Sequence, residues 1–268
     1  MNKSFLKWVG GKTKLLSQIE KYLPEGNRLV EPFCGSCVVS LNSEYKNYLA
    51  NDINSDLINL FNIIKNEDTF NFVKQSKKYF IDGNDLEKYN SLRSMFNNTK
   101  DLKLRAFLFI YLNRHCFNGM CRYNSSGGYN IPFGKYNTIY YPEKEIFLFS
   151  KLSQSITFSN KNFLNLKLKQ GDIVYCDPPY IPINETSSFT NYTGKDFSLE
   201  EHKQLANWCE VNNKELKIPF LISNNDTKLT REIYKKADDI IEVEVSRSMG
   251  SKKGTKEKKK EVLIIYKG

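Results

Sequence analysis

The chain has 268 residues, and 40 Lys plus Arg against 30 Asp plus Glu give it a formal net charge of +10. A hydrophobic content of 40% with 13% aromatics supplies a core and excludes global disorder. The length fits one large domain or one domain carrying an insertion, and no run of about 18 apolar residues predicts a transmembrane helix.

The first twelve residues are polar and lack an apolar stretch, so no secretory signal is expected. Arg28–Glu31 reads as a strand running into a loop at Cys34, Gly35 and Ser36. Val38 to Leu41 then opens a helix, and Asn47–Asn51 reads as a second strand ending at Asp52. Strand, glycine loop, helix, strand and acid is the Rossmann order. From Ser55 to about Tyr141 the pattern turns helical, with Leu57, Ile58, Leu60, Phe61 and Ile64 on one helical face. Leu104, Phe107, Leu108, Tyr111 and Leu112 mark a later helix of the same block. Met120 to Phe133, with Gly127 and Gly128 at its centre, predicts a β-hairpin.

Beyond Pro142 strands and helices alternate again. Ile156–Ser159, Asp172–Cys176, Pro219–Ser223 and Val262–Tyr266 read as strands. Ser198 reads as a helix N-cap with Glu201 at the capping-box position. The outline is an α/β domain built from residues 1–54 and 142–268, with a helical and hairpin-bearing insert over residues 55–141.

The charge is uneven. Ser246 to Lys260 holds seven basic residues against Glu257 alone. Such a run reads either as a solvated loop or as a phosphate-contacting one. The six cysteines (Cys34, Cys37, Cys116, Cys121, Cys176 and Cys209) read as reduced thiols. The Cys34/Cys37 and Cys116/Cys121 pairs lie far apart in unlike surroundings, so no zinc site is expected. His115 and His202 are not at metal-ligand spacing; His115 is expected to pack at a helix end and His202 to lie on a surface helix.

Asp177-Pro178-Pro179-Tyr180 follows directly on the strand ending at Cys176. The two prolines fix the backbone and remove two N–H donors, leaving carbonyls free to accept. An acid, a free carbonyl and an aromatic face suit an amino group on a planar ring. Asp177 and the Pro178 carbonyl would accept the amino hydrogens and aim the nitrogen lone pair at an electrophile, while Tyr180 stacks on the ring. Alternation along the strand points Cys176 to the opposite face, into the core. The tetrapeptide alone also suits other amino nucleophiles, such as cytosine N4, an RNA base or a protein amide. A binding protein that kept the fold without the activity stays open at this point, as does, more distantly, a nicotinamide enzyme.

The chain resembles the Dam-type DNA adenine-N6 methyltransferases, in their α arrangement, over nearly its whole length. The resemblance rests on ordered blocks: Phe5 to Lys12, Glu31 to Gly35, Asn51 to Asn54, Asn118 to Asn124, Pro132 to Tyr136, Asp177 to Tyr180, Phe189 to Tyr192 and Ser223-Asn224. It implies a Rossmann-like methyltransferase sheet, mixed but mostly parallel, with an inserted DNA-recognition domain. It implies S-adenosylmethionine as methyl donor, with no metal. Trp8, Lys12 and Asp177 would line the methionine end of the pocket, Phe33 and Gly35 would shape the cofactor loop, Asp52 would bind ribose hydroxyls, and Phe163 would pack on the cofactor adenine. Cys37 replaces the second glycine of the usual dinucleotide turn.

The resemblance further implies that a flipped adenine sits on Asp177, Pro178, Pro179 and Tyr180, and that the site read in duplex DNA is GATC. Lys7 would contact the first base pair and Arg122 a guanine. The Pro132 carbonyl would meet a base amino group. Phe117 and Asn118 would stand at the vacated adenine position, with Met120 as an apolar contact. Lys135 and Tyr136 would touch phosphates. It implies a bacterial or phage protein acting in the cytoplasm, without a membrane or an obligate protein partner.

Overall fold

The computed structural model describes residues 1–82, 84–182, 197–246 and 258–268. Seven strands form one sheet: β1 (Arg28–Glu31), β2 (Asn47–Asn51), β3 (Ile156–Ser159), β4 (Asp172–Cys176), β5 (Phe220–Asn225), β6 (Asp239–Ser246) and β7 (Lys258–Tyr266). Their order is β3-β2-β1-β4-β5-β7-β6. The β1–β2, β2–β3, β1–β4 and β4–β5 pairs are parallel. β7 runs antiparallel to both β5 and β6, and so is reversed against the rest. The sheet is therefore mixed and mostly parallel, with the order reversing between β1 and β4. In open α/β sheets ligands settle in the crevice outside the carboxyl ends at that reversal.

Strand alternation divides the core. Leu29, Tyr48, Ile173, Tyr175, Leu221 and Leu263 face one side, and Val30, Val174, Cys176, Ile222, Val262 and Ile264 face the other. The second side packs against α7 (Leu199–Leu216) and α8 (Lys228–Ile233) through Leu205, Trp208, Cys209 and Tyr234. Ser198 caps α7 in a complete capping box with Glu201. His202 is not on the surface: it is fully buried, its ring 4.7 Å from that of Phe197. The aromatic residue just before the N-cap folds over the first turn and shields it.

The first side carries the insert. Its helices are α2 (Ser55–Asn66), α3 (Thr69–Lys77), α4 (Leu86–Asn98) and α5 (Leu102–His115). Asn54, Asp68, Asp85 and Asp101 cap them by accepting from first-turn N–H groups. α5 is the insert's axis, buried from Ala106 to Asn113, and His115 packs at its end as expected. α6 (Glu143–Leu152) returns the chain to the sheet. The apolar cluster is continuous from strand residues through Phe5, Phe61 and Phe149 to Tyr89 and Phe96, so insert and sheet share one core.

Two further expectations are corrected. Val38 to Leu41 does not open a helix; residues 37–43 make single turns, with Leu41 N–H on the Cys37 carbonyl and Ser43 N–H on that of Val39. Side chains take the carbonyls that would continue a helix: Asn42 Nδ2 donates to Val38 O and Asn2 Nδ2 to Leu41 O, each at 2.7 Å. The segment 120–133 turns back on itself but is not a regular hairpin. It holds only isolated bridges, Cys116 with Phe133 and Tyr123 with Tyr129. Residues 189–192 and most of the basic stretch, residues 247–257, lie outside the described residues. Among the described residues no helix is long and apolar enough to cross a membrane.

Candidate active site and nucleic-acid interface

The carboxyl ends of β1, β2 and β3 are tied into one rim. Asn51 Nδ2 donates to the carbonyls of Pro32 and Lys161, and its Oδ1 accepts from Lys161 N–H. Asp52 closes the loop after β1, accepting from Gly35 N–H at 3.0 Å and from Asn54 N–H at 2.9 Å. Gly35 has φ +45°, and a Cβ there would lie 2.6 Å from Trp8 Nε1, so the indole and the loop can meet only at glycine. Cys37 also adopts a left-handed backbone, φ 56°. Phe33 and Phe163 pack with ring centroids 5.4 Å apart beneath this loop. Trp8, Phe33, Gly35, Asp52 and Phe163 are thus brought together at the rim.

The Asp177 tetrapeptide leaves β4 on the other side of the crevice. Lys12 Nζ is 2.7 Å from Asp177 Oδ1, donates to Gly10 O at 2.7 Å, and stands 4.7 Å from the Tyr180 ring centroid. Burial pushes the Asp177 carboxyl above its usual range against the pull of the Lys12 ammonium. The Tyr180 hydroxyl donates to Glu261 Oε2 at 2.8 Å. Ile181, next in the chain, is held through both backbone groups: its N–H donates to Asn224 Oδ1 at 3.1 Å and its carbonyl accepts from Asn225 Nδ2 at 2.7 Å. The end of β5 therefore fixes the loop that the two prolines stiffen.

Glu31 had no assigned role in the sequence, and its place is informative. It is 2% exposed and accepts from both the Ser40 N–H and the Ser40 hydroxyl. Burial raises its carboxyl to about 7, against those two donors. Burial raises Asp52 to about 6 against its two backbone donors. Glu31, Asp177 and Glu261 share the insert-facing side of the sheet edge, with Lys12 beside Asp177. Cys176 points the other way, into the core.

The second group of predicted residues forms a separate surface above this edge, on the loop after α5. Asn113 clamps the Lys7 backbone, accepting from its N–H at 2.9 Å and donating to its carbonyl at 2.7 Å. Lys7 Nζ lies 3.9 Å from the Tyr136 ring centroid and donates to Arg114 O. Burial, then Arg114, lowers the pKa of Lys7. Gly119, φ +64°, lets the loop pass Lys7, whose Cβ would be 2.2 Å from an added methyl. Asn118 has φ 54°, and its N–H donates to Tyr136 Oη at 2.8 Å. Phe117 is 49% exposed, and its N–H donates to the Pro132 carbonyl at 2.9 Å. Arg122 Nε donates to Asn130 Oδ1 at 2.9 Å. Met120 is half-buried and Lys135 exposed. Pro132 and Tyr136 therefore have internal work that sequence reasoning did not assign to them. The joint beneath the loop was also missed: Arg105 grips Asp56 through Nε at 2.7 Å and Nη2 at 2.9 Å, and Tyr123 Oη donates to Asp56 Oδ2 at 2.7 Å.

The chain is 44% identical over 269 residues to the DNA adenine methylase of Escherichia coli (strain K12), covering 99% of this chain and 96% of that one. It is 42% identical over 269 residues to that of Serratia marcescens, covering 99% of each. It is 39% identical over 267 residues to that of Vibrio cholerae serotype O1, covering 98% and 96%. Residues 8–249, which take in Glu31, Asp52, Asp177 and the insert, match a family of N6 adenine-specific DNA methyltransferases. On this full-length similarity and this match, the chain belongs to the D12 class N6 adenine-specific DNA methyltransferase family.

Proposed function

We propose that this enzyme transfers the methyl group of S-adenosylmethionine to adenine N6 within GATC in duplex DNA, with the adenine turned out of the helix. The observation that carries the reading is the Lys12–Asp177 pair at 2.7 Å, set at the carboxyl end of β4 where the sheet order reverses. Asp177 and the Pro178 carbonyl accept the two amino hydrogens, which leaves the nitrogen lone pair facing the donor. Tyr180 stacks on the purine, and Pro179 holds the backbone between them rigid. The contribution of these groups is positioning. An amino group paired inside a duplex cannot reach a pocket of this kind, so extrusion of the base is part of the reading.

The rim after β1 and β2 suits the donor. Gly35 and Trp8 form a close cradle, Asp52 offers a carboxylate for ribose hydroxyls, and Phe33 with Phe163 gives an apolar bed for a purine. Lys12 stands ready for a carboxylate, and the acids at the edge suit a cationic ligand. When bound, S-adenosylmethionine supplies an electrophilic methyl on a sulfonium. No metal enters the scheme.

The loop surface suits sequence reading. Among the described residues, the bond of Arg122 to Asn130 through Nε leaves its Nη groups for a guanine edge. Phe117 is the exposed wedge beside Asn118, and Met120 adds an apolar contact. Lys7 reaches the first base pair, the second lone pair of the Pro132 carbonyl meets a base amino group, and Lys135 and Tyr136 approach phosphates. The site of action is cytoplasmic DNA.

Labelled methyl transfer tests the chemistry. Asp177→Ala is expected to cut turnover by about a hundredfold or more while the protein stays folded. Retained turnover overturns the role given to Asp177.

A further inference from the structure

We infer that Glu261 is a positioning residue for the methyl-accepting amino group, acting through the hydroxyl of Tyr180. The inference rests on the reading of Asp177 to Tyr180 as the acceptor site. Its basis is topological and chemical. β7 is the reversed strand, so its beginning, not its end, lies at the carboxyl edge of the parallel strands. Glu261 stands opposite Asn225 on β5 and Val243 on β6 in register. It is 2% exposed, and the residues that follow it, Val262, Leu263 and Ile264, are fully buried and apolar.

A carboxylate in such a strand is costly unless it is bonded, and an apolar side chain would serve the core better. One bond it makes is to the aromatic residue of the acceptor tetrapeptide: Tyr180 Oη donates to Glu261 Oε2 at 2.8 Å. Tyr180 is thereby held at its hydroxyl, at its ring face and through the backbone beyond it. Its hydroxyl is set by β7, its ring face lies 4.7 Å from the Lys12 ammonium, and the backbone just beyond it is clamped by Asn224 and Asn225. The Lys12 ammonium in turn holds Asp177. A purine stacked on a ring fixed this way presents its amino group to Asp177 in one orientation. Without the Glu261 bond the hydroxyl end loses its tie to β7, and the amino group loses part of that alignment. DNA contacts on the loop after α5 are untouched, so the loss falls on turnover and not on binding.

The test uses the full chain and initial rates of labelled methyl transfer from S-adenosylmethionine to a GATC duplex. Glu261→Met keeps the volume and removes the acceptor; Glu261→Gln keeps an acceptor oxygen; Tyr180→Phe removes the donor without altering the strand. The expected result is a kcat about tenfold or more lower for Glu261→Met, with KM for DNA little changed. Glu261→Gln is expected to recover most of that loss. Tyr180→Phe is expected to fall by a similar factor, and Glu261→Met with Tyr180→Phe to be no worse than Tyr180→Phe alone.

An unchanged kcat in Glu261→Met, or losses that multiply in the double variant, overturns the inference. If Glu261→Met does not fold, Tyr180→Phe decides, since an unchanged kcat there removes the group through which Glu261 acts. Asp177→Ala is measured alongside. Retained turnover in that variant sinks the acceptor-site reading itself, whereas its loss beside an unaffected Glu261→Met sinks this inference alone.

Discussion

A carboxyl group held away from water favours its protonated form, and Glu31 and Asp52 both sit this way beside the Gly35 loop. Glu31 is raised from an ordinary 4.5 to about 7 by burial, against the Ser40 donors. Between those two values the folded chain holds a proton that the unfolded chain has released. The stabilisation is full below pH 4.5 and is lost as the pH rises through 7. The buried His115 and His202, both lowered to about 4 by burial, act in the opposite sense as the pH falls below their ordinary 6.5. Comparing wild type with Glu31→Gln at each pH cancels their contribution. Melting temperatures of the two are expected to diverge from pH 4.5 to 7, with wild type losing ground to the variant as the pH rises. A constant difference across that range would mean that Glu31 ionises normally in the folded protein. Neither Glu31 nor Glu261 was legible as a functional side chain. Glu31 reads as part of a strand, and Glu261 closes a lysine-rich run. Only the register of β7 brings Glu261 to Tyr180.

At the scale of elements, six of the seven strands were readable because each holds a short apolar run bounded by turn residues; β6 was not read, since Asp239, Glu242 and Glu244 break up its apolar residues. The α7 cap was readable because Ser198 and Glu201 stand at the spacing their reciprocal bonds require. The segment after Gly35 was misread because its apolar residues suit a helix, while Asn2 and Asn42 take its carbonyls from far and near in the chain. The fold of the segment 120–133 was partly legible. Its Gly127-Gly128 turn is real, but its shape comes from tertiary partners: Asn97 brackets Tyr129, and Asp56 receives Tyr123. Asp56 therefore joins α2, α5 and the segment 120–133. Asp56→Ala leaves the Arg105 guanidinium, 19% exposed, without its carboxylate. The expected cost is about 3 kcal/mol, the lower end for breaking a buried pair from one side. A urea unfolding midpoint measures it. A shift below about 1 kcal/mol would mean that solvent replaces the lost partner at little cost.

At the scale of the molecule, the division of labour follows the sheet. One face packs on α7 and α8 and is closed. The other carries the insert on a core continuous with the strands, so the loop after α5 and the Asp177 tetrapeptide stand on one apolar core. Lys7 and Lys12 come from the same N-terminal segment, one bonded to the loop side and one to Asp177. Positions on the loop and at the acceptor site are thereby tied within a few residues of chain. Sequence reading and methyl transfer are therefore expected to occur together. The most direct measurement is labelled methyl transfer from S-adenosylmethionine to two duplexes, one containing GATC and one with the same bases scrambled. Label confined to adenine of the GATC duplex is the result predicted. Equal labelling of both would contradict the specificity assigned to the loop, and label on neither would contradict the assignment of donor and acceptor.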